Sequence, residues 1–172
     1  MIKLVGAVLL LFSCSGLGFF KSRQYQGRVM QLEELIHITG FLIGEISFAV
    51  STLPEAMERI SEKTETPFDE FLYVLAERMR MYSGENFSRI LNELIKEKLN
   101  TSFLKKEDLD EFYQAVCNLG YLDKEMQIHI LEQYRKEQEE KIRRLRMQLP
   151  EKMKLCRSLG IMAGIFLIII LI

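Results

Sequence analysis

The sequence predicts an all-α protein, a cytoplasmic six-helix bundle between an N-terminal and a C-terminal transmembrane helix. Three observations lead there. Residues 4–20 and 158–172 carry no charged side chain. Between them, apolar residues recur three and four apart, the period of a helix with one buried face. Nowhere does an apolar/polar alternation run long enough to make a half-buried strand. The corresponding segments are 1–20 as one membrane helix, 21–157 as the bundle and 158–172 as the second membrane helix.

The closing run has fifteen residues. At about 1.5 Å per residue it makes a helix about 22 Å long, short of the roughly 30 Å hydrocarbon core. Leu155, Cys156 and a snorkelling Arg157 extend it to about 27 Å. A helix that is apolar all round needs lipid or a large core about it, and the charged middle of the chain offers no such core. Gly160 and Gly164 lie four apart on one face of this span. Gly6, Gly16 and Gly18 supply small residues in the first, so close helix approach in lipid is open to both.

Lys3 is the single charged side chain outside residues 21–157, so the 23 basic and 24 acidic residues fall almost entirely in a near-neutral middle. Such a segment has no electrostatic footprint for nucleic acid. Charge is uneven within it: Arg135 to Arg157 holds nine basic residues against Glu137, Glu139, Glu140 and Glu151. Lys21, Arg23 and Arg28 follow the first span, and Lys152, Lys154 and Arg157 precede the second. Positive flanks stay in the cytoplasm, which predicts a multi-pass hairpin with both termini extracytoplasmic. Three cysteines, Cys14, Cys117 and Cys156, have no metal-ligand spacing, and their odd number suits a reducing compartment. A rival reading of the N-terminus is a secretory signal ending at a lipoprotein-type Cys14. Phe12 where a small residue is usual, apolar character continuing to Phe20 and the basic residues just beyond count against it.

In the middle segment, Val29, Leu32, Ile36, Thr39, Ile43, Ile46 and Val50 mark one stripe of a first helix, widened by Leu35, Leu42 and Ala49. Phe41 and Phe48 add apolar bulk opposite, so this helix is expected to be nearly enclosed from Leu35 onward. Gly40 and Gly44, four apart, leave room for another helix to come close. Thr52-Leu53-Pro54-Glu55 has capping-box spacing and starts a second helix. Thr66-Pro67-Phe68-Asp69 repeats the device, with proline at the first position of a third. That helix turns Phe68, Phe71, Leu72, Leu75, Met79 and Tyr82 inward and ends at Ser83-Gly84. Asn86 caps a fourth, with Phe87, Ile90, Leu91, Leu94 and Ile95 inward. A fifth, from Lys105 to Asn118, turns Leu109, Phe112, Val116 and the following Leu119 inward and is stopped by a left-handed Gly120. Asp123 caps a long sixth, whose thin stripe is Met126, Ile130, Tyr134, Ile142, Leu145 and Leu149. Pro150 is expected to kink or break it just before the membrane.

No catalytic chemistry is legible. His37 and His129 have no second ligand three or four residues on. A glycine-rich phosphate loop, a nucleophile elbow and a Cys/His pairing signature are all missing. The reading is a noncatalytic chain with no metal and no cofactor. Glu45, alone within Phe41 to Val50, is the most unusual charge. Burying it unpaired would be costly, so it needs a cation, a set of N–H donors or water. The simplest account sets its carboxylate on the free N–H groups at Leu53-Pro54-Glu55, the start of the next helix. A contact with a partner is the alternative.

Four stretches carry a resemblance to a known family: the opening Lys3-Leu4-Val5-Gly6; Glu45-Ile46-Ser47-Phe48 leading to Leu53-Pro54-Glu55-Ala56; Leu119-Gly120 followed by Asp123 and Gln127; and Ser158-Leu159-Gly160 through Gly164 to the aliphatic tail. In this order, and with the two-span layout, the chain resembles the stage III sporulation protein AB family of endospore-forming bacteria over essentially its full length. It departs from the family just before Leu53, where Ser51-Thr52 stands in place of a further proline. The resemblance implies a membrane platform or scaffold of the secretion-like channel between mother cell and forespore, in the mother cell's outer forespore membrane. The family's soluble part is similar to the cytoplasmic domains of inner-membrane platform proteins in type II secretion and type IV pilus systems. Such platforms couple a cytoplasmic ATPase to envelope rings. The implied partners are the stage III sporulation protein AA ATPase and the other subunits of the same channel, with a docking surface that is polar and lies away from the bilayer. A membrane-tethered helical regulator or sensor without ATPase coupling has the same composition and stays open.

Because neither apolar run comfortably spans a bilayer, association with another helix should matter more than for a long anchor. Gly160→Leu with Gly164→Leu is expected to leave the protein folded and membrane-bound while impairing assembly with its partners and spore formation. Normal sporulation with unchanged co-purification would reduce the two glycines to filler, in keeping with the general frequency of glycine in membrane helices.

Overall fold

The computed structural model describes residues 2–48, 52–81 and 86–171, the side chains of residues 2–15, 17–18, 157, 160–161, 163–165 and 167–171 excepted. Six helices and no strand occur among the described residues: α1 (Ile2–Phe48), α2 (Leu53–Ser61), α3 (Phe68–Met81), α4 (Phe87–Lys98), α5 (Lys106–Val116) and α6 (Lys124–Leu171). The all-α class therefore holds. The apolar runs at both ends belong to α1 and α6, which continue from them into the charged middle. Among the described residues no helix is long and apolar enough to cross a membrane. Most side-chain positions of the two expected spans, Gly160 and Gly164 included, lie outside the description. Pro150 sits inside α6, so of the expected kink or break, the break does not occur. Its ring takes one donor from the ladder, and the turns on either side carry the helix through.

The chain forms two compact units, Met1–Val29 with Arg143–Ile172, and Met30–Ile142. The first joins the opening part of α1 to the closing part of α6. Lys152 of α6 places its ammonium 5.6 Å from the centre of the Tyr25 ring of α1, and Arg23 lies 5.4 Å over Phe19. Both are cation–π contacts that let a charged group lie on an aromatic face. Phe20, Leu159, Met162 and Phe166 are exposed on this unit.

The second unit has a continuous apolar core. Leu35, Ile38 and Leu42 of α1 share it with Met57 and Ile60 of α2, Phe71 and Leu75 of α3, and Leu91 and Leu94 of α4. The Phe112 ring of α5 lies between Phe71, at 6.5 Å and 63°, and Tyr134 of α6, at 6.2 Å. Aromatic edges and faces thus link three helices at one point.

Several expectations need correction. The buried line of α1 is Leu32, Leu35, Ile38, Thr39 and Leu42, while Phe41 and Phe48 face outward, so the helix is not enclosed. Lys63 covers the Phe41 ring at 5.1 Å, which suits an aromatic left partly in water. A Cβ at Gly40 would meet Arg135 Nη1 at 3.9 Å and one at Gly44 would meet nothing within 4 Å, so no helix backbone presses on either. Helix α3 starts at Phe68, with Pro67 just ahead of it in a cis peptide bond to Thr66. Tyr82 and Ser83-Gly84 lie outside the described residues. The Asn86 side chain caps α4 as expected, accepting from the Ser88 N–H at 3.1 Å. Helix α6 buries Leu131, Tyr134, Gln138 and Ile142, and Met126 is exposed.

The α5–α6 pairing contains the one fully buried carboxylate among the described residues. Asp108 Oδ2 accepts from the Lys105 N–H at 2.9 Å, closing the start of α5, and Oδ1 lies 2.7 Å from Lys141 Nζ of α6. Lys141 also meets Glu111 at 2.6 Å, and Gln138 Nε2 donates to the same Glu111 oxygen at 2.8 Å. Burial, with Glu111 and Asp108 adding to it, raises the Tyr134 phenol well above its ordinary value. Removing one partner of a buried pair leaves an uncompensated charge. Lys141→Met is expected to lower the unfolding free energy by about 3 kcal/mol, the low end for such pairs because Lys141 keeps some contact with water. Adding Asp108→Asn should recover part of this in denaturant titration. A single-variant loss under about 1 kcal/mol would class the pair with surface bridges.

Candidate interaction surface

Helices joined by short connections run antiparallel, so the C-terminal ends of α1, α3 and α5 and the N-terminal ends of α2, α4 and α6 gather at one end of the unit Met30–Ile142. Two contacts tie them. The Lys124 ammonium donates to the Ser47 carbonyl, and the Tyr121 hydroxyl donates to Asn86 Oδ1 at 3.4 Å. Glu45, Leu53, Pro54, Glu55, Ala56, Leu119, Gly120, Asp123 and Gln127, scattered along the sequence, all fall at this end.

Most of them close helix ends. The Glu55 carboxylate accepts from the Thr52 N–H at 3.0 Å, with Pro54 in the first turn of α2. Asp123 Oδ1 accepts from the Met126 N–H at 2.9 Å, and Gln127 Nε2 donates to the Leu122 carbonyl at 2.6 Å. These bonds satisfy backbone groups that a helix end leaves unpaired. Gly120 has φ +84°, where only the absence of a Cβ spares strain, and it turns the chain from α5 toward α6. Ala56 and Leu119 are buried and belong to packing.

Glu45 takes a different partner from the one expected. Its Oε2 lies 2.7 Å from Arg59 Nη2, in the last turn of α2 and not over that helix's first turn. A full cation outweighs the roughly half charge of a helix N-terminus, and Glu55 already serves that terminus. On the same helix, Glu58 bonds to Arg80 of α3. That hydrogen bond holds the Glu58 carboxyl below its ordinary value and raises Arg80.

What the sequence reading missed is the apolar exposure here. Phe48 is 78% exposed, Tyr121 65% and Met126 47%. The sequence periodicity predicts Phe48 against neighbours and Met126 on an inward stripe. The available signal was positional: Phe48 ends its helix, Tyr121 and Leu122 stand in the turn between Gly120 and Asp123, and Met126 belongs to the first turn after a cap. Such side chains have little of the fold left to cover them. Grouped exposed apolar residues on a folded unit mark a contact surface.

Burial raises the Cys117 thiol above its ordinary value, which disfavours the nucleophilic thiolate. His37 is exposed, 3.9 Å from Glu34. Among the described residues no group of three His, Cys, Asp or Glu side chains could hold a metal ion.

A family model described as stage III sporulation protein AB matches residues 3–172. Comparison with curated proteins and with solved structures finds no match.

The Glu45–Arg59 pair is partly exposed, with side-chain exposures of 23% and 43%. Glu45→Lys sets two cations together and is expected to cost about 1 kcal/mol after solvent screening. The charge swap Glu45→Lys with Arg59→Glu should restore most of it. An unchanged melting temperature in the single variant would return Glu45 to the list of partner-contact residues.

Proposed function

The chain belongs to the stage III sporulation protein AB family, a family of sporulation proteins, and on that premise we propose that it is a noncatalytic membrane platform of the channel between mother cell and forespore. In this reading α1 and α6 enter the membrane at residues 4–20 and 158–172, with both chain ends outside the cytoplasm. Exposed Phe19, Phe20, Leu159, Met162 and Phe166 on the unit built from the two ends support it, because such side chains are at home in lipid. The excess of lysine and arginine beside both runs supports the orientation.

The platform docks a cytoplasmic ATPase, the stage III sporulation protein AA of the same system, through the bundle end just described. One observation carries this: Phe48, Tyr121 and Met126 stand exposed at an end where the Glu55 and Asp123 carboxylates are already engaged in closing helices. Apolar contact is the chemistry these three side chains offer. This end is opposite, within its unit, to residues 30 and 142, where the chain enters and leaves. It is more apolar than the docking surface expected from sequence.

The test uses the full chain in lipid nanodiscs with the purified ATPase. Binding and a change in ATP hydrolysis are expected, and Phe48→Glu with Met126→Glu should weaken binding by at least about tenfold while the helical spectrum is kept, as loss of central apolar anchors does. Binding that survives the double substitution would move the dock elsewhere. No binding by the unaltered chain would leave the membrane-tethered regulator as the better account.

A further inference from the structure

An open groove of about 710 Å³ lies between the C-terminal half of α4 and the N-terminal half of α5, away from the bundle end treated above. Ile95, Leu99 and Leu109 form its floor. Lys96 from α4 and Lys106 from α5 also line it. The volume is in the range of sites that take a side chain or a small ligand, roughly 300–1,000 Å³.

Lys96 and Lys106 are the cations of the groove's lining. Elsewhere the cations are largely spoken for: Lys98 meets Glu70 at 2.7 Å, Lys141 meets Asp108 and Glu111, and Arg78 meets Glu93 and Glu97. Lys96 and Lys106 have no ion-pair or hydrogen-bond partner among the described residues. Two ammonium groups without a partner among the described residues, on a groove whose lining is also apolar, are complementary to one kind of occupant. It must bring carboxylates on two flanks and an apolar group between them. A free phosphate would satisfy the lysines but leave the floor in water.

We propose that this groove docks an acidic amphipathic helix of a partner subunit, with one apolar side chain on the floor and carboxylates against Lys96 and Lys106. A helix presents this arrangement because residues three and four apart share a face, and helix-in-groove contacts of this type recur in recognition. Asp110, also on the rim, repels a carboxylate at its own position and so selects one orientation of the incoming helix. The groove is a second contact, separate from the end proposed for the ATPase, and rests on that reading only in treating the chain as part of an assembly.

The test is made on the full-length protein in sporulating cells. A photo-cross-linking amino acid replaces exposed Asn100 on the groove wall, and the cross-linked peptide is identified by mass spectrometry. The expected product is a segment of another protein with an apolar residue flanked by Asp or Glu. Its yield should fall about tenfold in Lys96→Glu with Lys106→Glu, and in the same direction in Lys96→Gln with Lys106→Gln, which adds no repulsion. Cross-links only to lipid or to a second copy of the chain, a captured segment without acidic residues, no cross-link, or a yield indifferent to the lysines would each overturn the proposal. ATPase binding through the bundle end is read separately in the nanodisc assay, so loss of that binding with the groove cross-link intact would sink the docking reading alone.

Discussion

A carboxylate out of reach of water, Asp108, anchors the attachment of α6 to the bundle, and much else follows from that attachment. The inward face of α6 is sparse: Leu131 and Ile142 are apolar, but Gln138 is polar and Tyr134 carries a hydroxyl. Such a face gains less from burial than those of α3 or α4. Desolvating a lone carboxylate costs several kcal/mol, and a paired cation with further hydrogen bonds offsets it. Asp108 has both, the ammonium of Lys141 and the backbone N–H of Lys105. The geometry that satisfies it fixes where α6 lies along α5. That in turn sets the turn through Gly120, and with it the position of Tyr121, Leu122 and Met126.

The helix boundaries were legible because local chemistry writes them. Asn86 and Asp123 cap the helices they precede, Glu55 closes the start of α2, and Gly120 takes the left-handed conformation that a helix stop needs. Each depends on a bond or a dihedral within a few residues, and short-range rules reach that far. The inward faces of α3 and α4 were legible too, since dense apolar spacing leaves little choice of face. What failed was long-range. Which of several candidates α6 buries depends on where α5 stands, so Leu131 and Gln138 were passed over and Met126 was wrongly turned inward. Glu45 was recognised as needing a partner, but Arg59, fourteen residues on, becomes available only once α1 and α2 pack. Neither Asp108 nor its pairing with Lys141 could be picked out, because an acidic residue in a first helical turn is ordinary.

The two surfaces of the helical unit differ in what they ask of a neighbour. At the bundle end Glu55, Asp123 and Gln127 are engaged by the fold itself, and the exposed apolar residues are aromatic or thioether side chains that adapt to a range of apolar shapes. In the α4–α5 groove the apolar part is recessed and the charges are unspent, so sign and spacing discriminate among occupants. A chain bearing both can make one contact that tolerates variation in shape and another that rejects partners of the wrong charge. Neither requires a reactive group, and the raised Cys117 thiol adds none.

Tyr134 has a consequence for how the fold responds to alkali. Its hydroxyl is buried with no hydrogen-bond partner among the described residues, and burial with two nearby carboxylates raises its proton affinity. In the unfolded chain the phenol titrates near its ordinary value of about 10. The folded protein therefore holds a proton that the unfolded chain gives up above that pH. The contribution is complete below about pH 10 and drains away as the solution becomes more basic, because proton release then favours the unfolded side. Tyr134 gives the bundle no sensitivity to acid, and it sets an alkaline edge at the contact that joins α3, α5 and α6.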